Sequence, residues 1–189
     1  GHCDLAPVLT RGDEIVPVVT YSTNDGPVLG LARADASLAD YEARGGYGVL
    51  RTLPPLETIV AELKASGLAG FGGAGFPTGL KWESVAREPG TPYVVVNADE
   101  GEPGTIKDRY VMELRPHLLL EGTLIAMRSL GAKEGFIYLR EEYATSRSRL
   151  QTGIDEARAA GQPGVDAKPA VEAGRGVAAE SIVAMEEER

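Results

Sequence analysis

The apolar residues of this chain fall into two kinds of run, and the difference predicts most of its elements. Leu56, Ile59, Val60 and Leu63 recur at helical spacing between Pro54-Pro55 and Gly67, which predicts a helix over 56–66. Residues 118–130 are apolar nearly all round and end at Gly131, so they read as a strongly buried helix with a glycine C-cap. Residues 144–160 read as a further helix, stopped by Gly161. Two short continuous runs have another character. Tyr93-Val94-Val95-Val96 and Gly135-Phe136-Ile137-Tyr138-Leu139 read as buried strands, with Tyr93 and Trp82 expected in the core. Strand, long helix, strand, helix is the rhythm of an α/β fold with a parallel sheet covered by helices.

The flanks are weaker. Residues 5–31 mix β-branched runs with turns and predict one or two short strands. Residues 35–44 predict a short polar helix, and Gly45-Gly46 marks a boundary near 45. Residues 79–86 predict a short helix. From Gln162 onward no firm period remains. Residues 178–188 suit a helix, no strand is expected there, and the segment reads as a loosely docked tail.

The formal net charge of −9 argues against non-specific binding to nucleic acid or to an anionic membrane surface. Small anionic ligands stay open, since backbone amides bind phosphate within a negative protein. No apolar run reaches the length of a membrane span, so direct membrane insertion is not expected. The start, Gly1-His2-Cys3-Asp4, carries no signal-peptide pattern and no initiator Met, and it reads as a cut inside a longer protein. A single cysteine forms no internal disulfide, which fits a cytoplasmic protein.

Two turns carry the chemistry. Gly70-Phe71-Gly72-Gly73-Ala74-Gly75-Phe76-Pro77 satisfies GxGxxG literally, but a helix precedes it where a dinucleotide fold has a strand. Read alone, it serves equally as a glycine-rich surface loop. Phe76 offers a ring for stacking, and Lys81 a cation for a phosphate or an electron-rich carbonyl. The second turn, Asn97-Ala98-Asp99-Glu100-Gly101-Glu102, follows the carboxyl end of the first buried strand, where ligands bind in open α/β sheets. Its alternatives are a solvated loop with Asp99 as an N-cap, or a hard-cation site for Mg²⁺. Lys107, Asp108 and Arg109 read as an ion-pair cluster bracing the turn. His117 reads as a packed or capping residue, and residues 138–143 as the rim of the ligand side.

Residues 72–82 and 97–105, with Arg115-Pro116-His117, Leu120-Glu121-Gly122 and residues 137–143, closely resemble one family. It is the flavin-bearing 51-kDa subunit of respiratory complex I, with the β subunits of NAD-dependent formate dehydrogenases and the diaphorase subunits of NAD-linked hydrogenases. The likeness covers roughly residues 50–160. It implies a Rossmann-like parallel sheet, FMN and NAD(H) as cofactors, and hydride transfer between nicotinamide and flavin. Single electrons would then pass to iron–sulfur clusters in the full-length protein or its complex. It implies that Gly70, Gly72, Gly73 and Gly75 line the cofactor channel and that Phe76 stacks on the dinucleotide. Lys81, Asn97 and Asp99 would bond the flavin, and Glu100 and Glu102 would face the nicotinamide and its ribose. The implied partners are other redox subunits of a multi-subunit NAD-linked complex.

Residues 1–8 resemble the last ligand segment of a thioredoxin-like 2Fe–2S module, with Cys3 as one cluster ligand in a full-length parent. The expected organisation is a remnant of that module over 1–45, a partial FMN/NADH domain over 46–161 and a tail over 162–189. Two departures stand out. Phe71 occupies a position where the family commonly has Arg, and the later flavin motif and cysteine-rich region of the family are not found after residue 160. An alternative function is therefore a non-catalytic assembly module that keeps the fold without the cofactor.

Overall fold

The computed structural model of this chain describes residues 8–11, 14–17, 35, 37–70, 74–162 and 180–186. Two short strands, β1 (Val8–Arg11) and β2 (Glu14–Pro17), pair antiparallel. Two short helices follow, α1 (Leu38–Glu42) and α2 (Gly48–Arg51), then α3 (Leu56–Ser66) and α4 (Thr78–Arg87). The main unit comprises β3 (Tyr93–Ala98), α5 (Lys107–Leu114), α6 (Pro116–Leu130), β4 (Glu134–Arg140), α7 (Ala144–Ala159) and β5 (Glu180–Glu186). Its sheet has the order β3-β4-β5.

The parallel pair is the one the apolar runs predict. Val94 lies opposite Gly135, Val96 opposite Ile137 and Ala98 opposite Leu139. These positions share the face that meets the helices, because successive side chains of a strand alternate between faces. Leu120, Leu124 and Met127 of α6 pack with Ile137 and Leu139 of β4 and with Leu150 and Ile154 of α7 in one core. Gly131 closes α6 in the left-handed conformation (φ +71°), its N–H donating to Met127 O.

Three expectations need correction. Tyr93 is not core. It is 64% exposed and Val95 63% exposed, because they occupy the sheet face opposite α6 and α7. The continuous apolar run concealed that alternation. Trp82 is only partly buried. The segment near the C-terminus is not a helix over 180–186 but a strand, β5, antiparallel to β4 with Phe136 opposite Ala184 and Ile137 opposite Val183. The β-branched pair Ile182-Val183 favours extended backbone. The sheet is therefore mixed rather than wholly parallel.

The helices before residue 52 join the same core. Tyr41 and Tyr47 pack with Leu120 and Leu124. The Tyr47 hydroxyl lies 3.0 Å from His117 Nδ1, and His117 Nε2 lies 2.9 Å from a Glu156 oxygen. Tyr41 donates to Glu121, and buried Asp35 is gripped by Arg115 (3.1 Å) and Arg44 (3.3 Å). His117 is thus the packed residue that its sequence context predicts. Gly1–Pro7, including Cys3 and the iron–sulfur likeness, lie outside the described residues.

Candidate functional site

The glycine loop is closed at its neck. Ala69 and Pro77 form an isolated antiparallel bridge, with Gly70 N donating to Phe76 O (3.0 Å) and Thr78 N to Leu68 O (2.9 Å). Of its expected ligand residues, Gly70, Gly75 and Phe76 are described and exposed. Gly72, Gly73 and the departing Phe71 lie outside the described residues. Phe76 presents an aromatic ring to solvent at 52% exposure. An apolar ring held outward beside a pinned backbone is open to a stacking ligand.

α4 carries Lys81 away from that neck, exposed and without an ion pair among the described residues. Its placement depends on Gly79. A Cβ there would lie 2.7 Å from Lys64 Cγ, 3.0 Å from Lys64 N and 3.1 Å from Val60 O, so only glycine lets α4 lie this close to α3. Lys64 and Arg87 both pair with Glu83 (2.9 and 3.1 Å), and the bond from Lys64 holds the Glu83 carboxyl below its ordinary range.

The acidic turn has a defined internal structure. Asn97 Oδ1 accepts from Asp99 N at 3.0 Å, a local turn that leaves both amide hydrogens of Asn97 outward. Glu100 differs from its neighbours in being buried, at 5% exposure. Its Oε1 accepts from Asp108 N (2.9 Å) and its Oε2 from Arg109 N (3.4 Å), the first-turn amides of α5. Four such amides lack partners in every helix, and a carboxylate there also meets the positive end of the helix dipole. That engagement accounts for the burial of Glu100, and Glu100 rather than Asp99 is the cap. Asp99 and Glu102 stay exposed.

Residues at the end of β4 hold the turn from its other side. Tyr143 Oη donates to Glu100 O (2.8 Å), and Arg140 Nε lies 3.9 Å from Asp99 Oδ1. Arg140 also pairs with Glu142 at 3.3 Å, and that bond raises the pKa of its guanidinium above the ordinary arginine value. Gly101 admits Arg140, whose Nη1 lies 3.2 Å from where a Cβ would stand. Lys107 pairs with Asp108 (2.7 Å), whereas Arg109 stacks over the Tyr143 ring, 5.3 Å from its centroid. The structure thus gathers Asn97, Asp99 and Glu100 with Arg109, Arg140 and Tyr143. It does not join the acidic turn to the glycine loop by any hydrogen bond or ion pair among the described residues.

Sequence reasoning missed α5, and so missed the cap on it. A weak signal was available in the apolar positions Ile106, Tyr110 and Met112-x-Leu114, interrupted by charges. Among the described residues no group of three or more His, Cys, Asp or Glu side chains is placed to hold a metal ion, so the Mg²⁺ alternative gains no support. Nor is any helix among them long and apolar enough to cross a membrane.

Comparison with known proteins sharpens this picture. The family model described as the Nuo51 FMN-binding domain matches residues 63–184, from the end of α3 into β5. An NADH-quinone oxidoreductase subunit of Rhizobium meliloti is 47% identical over 132 residues, 68% of this chain and 31% of the relative. An NADH-quinone oxidoreductase subunit of Rhodobacter capsulatus is 51% identical over 111 residues, 58% of this chain and 26% of the relative. A crystal structure of an NAD+-reducing [NiFe]-hydrogenase in the air-oxidized state is similar at a TM-score of 0.52 and 37% identity. It covers 57% of this chain and 19% of that one. The chain therefore spans less than a third of the length of these curated relatives.

Proposed function

Since this chain belongs to the family of the Nuo51 FMN-binding domain, we propose that it is part of the flavin subunit of an NADH:acceptor oxidoreductase. The observation that carries this reading is the acidic turn. It stands at the carboxyl end of β3, is fixed by the Glu100 cap, and turns the Asn97 amide and the Asp99 carboxylate outward. That donor set fits a flavin. Asn97 has two amide hydrogens left for ring carbonyls, Asp99 accepts from a ring N–H or a hydroxyl, and exposed Lys81 offers a point charge for a phosphate or carbonyl.

When bound, FMN supplies the acceptor for a nicotinamide hydride and a means of releasing electrons one at a time. The chain's own residues bind and orient. Gly70, Gly72, Gly73 and Gly75 give the loop backbone that a ligand approaches without Cβ atoms. Phe76 supplies a stacking face for NADH. Glu102, exposed at the turn, is the carboxylate we assign to the ribose hydroxyls beside the nicotinamide. Glu100 sets the turn's shape through α5. Iron–sulfur clusters and further redox subunits would take the electrons onward in the full-length assembly, with Cys3 as one 2Fe–2S ligand there. A cytoplasmic location fits a lone cysteine kept as a thiol.

The test is direct. The 189-residue chain is incubated with FMN, desalted, and its visible spectrum recorded before and after NADH. Retained flavin absorbance that bleaches with NADH supports the reading, and its loss in Asn97→Ala and Lys81→Ala places the flavin at these residues. A chain that retains no flavin overturns autonomous catalysis and favours the assembly-module alternative.

A further inference from the structure

We infer that Tyr143 is the positioning residue of the flavin site: it locks the acidic turn to the end of β4 and to α5 through its hydroxyl and its ring. The inference rests on the reading that this turn takes FMN. Three contacts close a circuit. The Glu100 side chain accepts from the first-turn amides of α5, Asp108 N and Arg109 N. Arg109, on that same turn, lies over the Tyr143 ring. Tyr143 returns to Glu100 by donating its hydroxyl to the backbone carbonyl at 2.8 Å. Side chain and carbonyl of one residue are thereby held by two different elements, which fixes the peptide planes between Asp99 and Gly101 rather than a side chain alone.

The residues proposed to meet the flavin, Asn97 and Asp99, stand one to three positions before this anchor. Asn97 is held within β3 opposite Tyr138, whereas Asp99, past the end of the strand, has only the Asx turn and a 3.9 Å approach of Arg140 as restraints of its own. Burial raises the Tyr143 hydroxyl above its ordinary range, so it stays a donor throughout neutral pH. Arg109 Nε is buried without a hydrogen-bond partner among the described residues. The guanidinium packs over the Tyr143 ring, so the ring is part of the circuit in its own right. A tyrosine here does what neither phenylalanine nor serine does, since it supplies the plate for Arg109 and the donor for Glu100 together.

Tyr143→Phe removes the donor and keeps the plate, and Arg109→Met removes the cation and keeps the side-chain length. Tyr47→Phe is the control, a loss of the same hydroxyl at the start of α6, where Tyr47 meets His117. Each full-length chain is read for FMN dissociation constant by fluorescence quenching, amide hydrogen exchange over 99–102, and thermal unfolding. Tyr143→Phe and Arg109→Met are expected to weaken FMN by about five- to tenfold and to speed exchange across the turn. Tyr47→Phe is expected to lower the melting temperature while leaving the constant within about twofold of wild type. An unchanged constant in Tyr143→Phe beside a normal wild type overturns the inference alone. A wild-type chain that binds no FMN overturns the parent reading and the flavin-positioning role with it.

Discussion

His117 Nδ1 lies 3.0 Å from the Tyr47 hydroxyl, and that contact joins the short helices before residue 52 to the long helix behind the sheet. Tyr47 holds a left-handed backbone (φ +58°), a conformation that costs a non-glycine residue on the order of 1 kcal/mol and persists only when its surroundings over-determine it. The His117 bond, the edge-on ring of Tyr41 and complete burial provide that surrounding. On the far side of the imidazole the Glu156 carboxylate meets both Nε2 and Leu38 N, each at 2.9 Å.

His117→Ala therefore leaves a buried phenol without its partner and opens a cavity beside α6. It is expected to destabilise the fold by about 3 kcal/mol, read as a lower urea midpoint at unchanged slope. Flavin binding by the folded fraction should stay near wild type. A loss of binding without a loss of stability would give His117 a ligand role.

The same cluster predicts a response to alkali. Burial, reinforced by the Glu121 carboxylate, raises both Tyr41 and Tyr47 far above the ordinary tyrosine value of 10.0. Their neutral forms are favoured in the folded state, so the stability they contribute is whole below the unfolded value. It falls as pH rises above about 10, where the unfolded chain releases protons that the native chain retains. Melting temperature should drop steeply above that pH. Tyr41→Phe with Tyr47→Phe should flatten the alkaline limb while lowering the neutral plateau.

A third expectation concerns Gly79. Gly79→Ala places a methyl group against the α3 backbone at Val60 O and Lys64 N, atoms that cannot rotate aside. Separation of α3 from α4 should cost about 1–3 kcal/mol. Because Lys81 rides on α4, FMN affinity should fall together with stability. Lys81→Ala, exposed at the surface, should lower affinity while changing stability by no more than about 0.5 kcal/mol. The two variants, compared by thermal melts and FMN titration, separate a misplaced cation from a missing one.

What the sequence made legible follows from period and punctuation. α6 and its Gly131 cap and the parallel β3–β4 pair stand where apolar runs and glycines point. Period fails where a segment is short and highly charged. Lys107-Asp108-Arg109 reads as an ion-pair cluster, yet it opens α5, because the acceptor that organises those amides is Glu100, several residues upstream. A continuous run such as Tyr93–Val96 cannot report which face of its sheet the described helices cover, since exposure of Tyr93 and Val95 is a property of the layers. The antiparallel β5 was hidden for a similar reason. Its seven residues gain order by pairing with β4 across a long separation in sequence, a contact no local pattern announces.

Glu100 and Glu102 give the most discriminating comparison, because the family resemblance assigns both to the nicotinamide and the structure treats them differently. Glu100 is 5% exposed with both oxygens on α5 amides, whereas Glu102 is exposed. Glu100→Gln keeps one acceptor and loses the charge at a helix N-terminus, so it should destabilise by about 1 kcal/mol. It should also loosen the turn and weaken FMN. Glu102→Gln removes an exposed carboxylate with no ion pair among the described residues, and stability should hold within about 0.5 kcal/mol. If Glu102 meets the ribose, the rate of flavin reduction at limiting NADH should fall about tenfold with FMN affinity unchanged. Stopped-flow reduction and FMN titration on the two variants check this. Equal effects of both on NADH and none on stability would return Glu100 to the nicotinamide and remove it from α5.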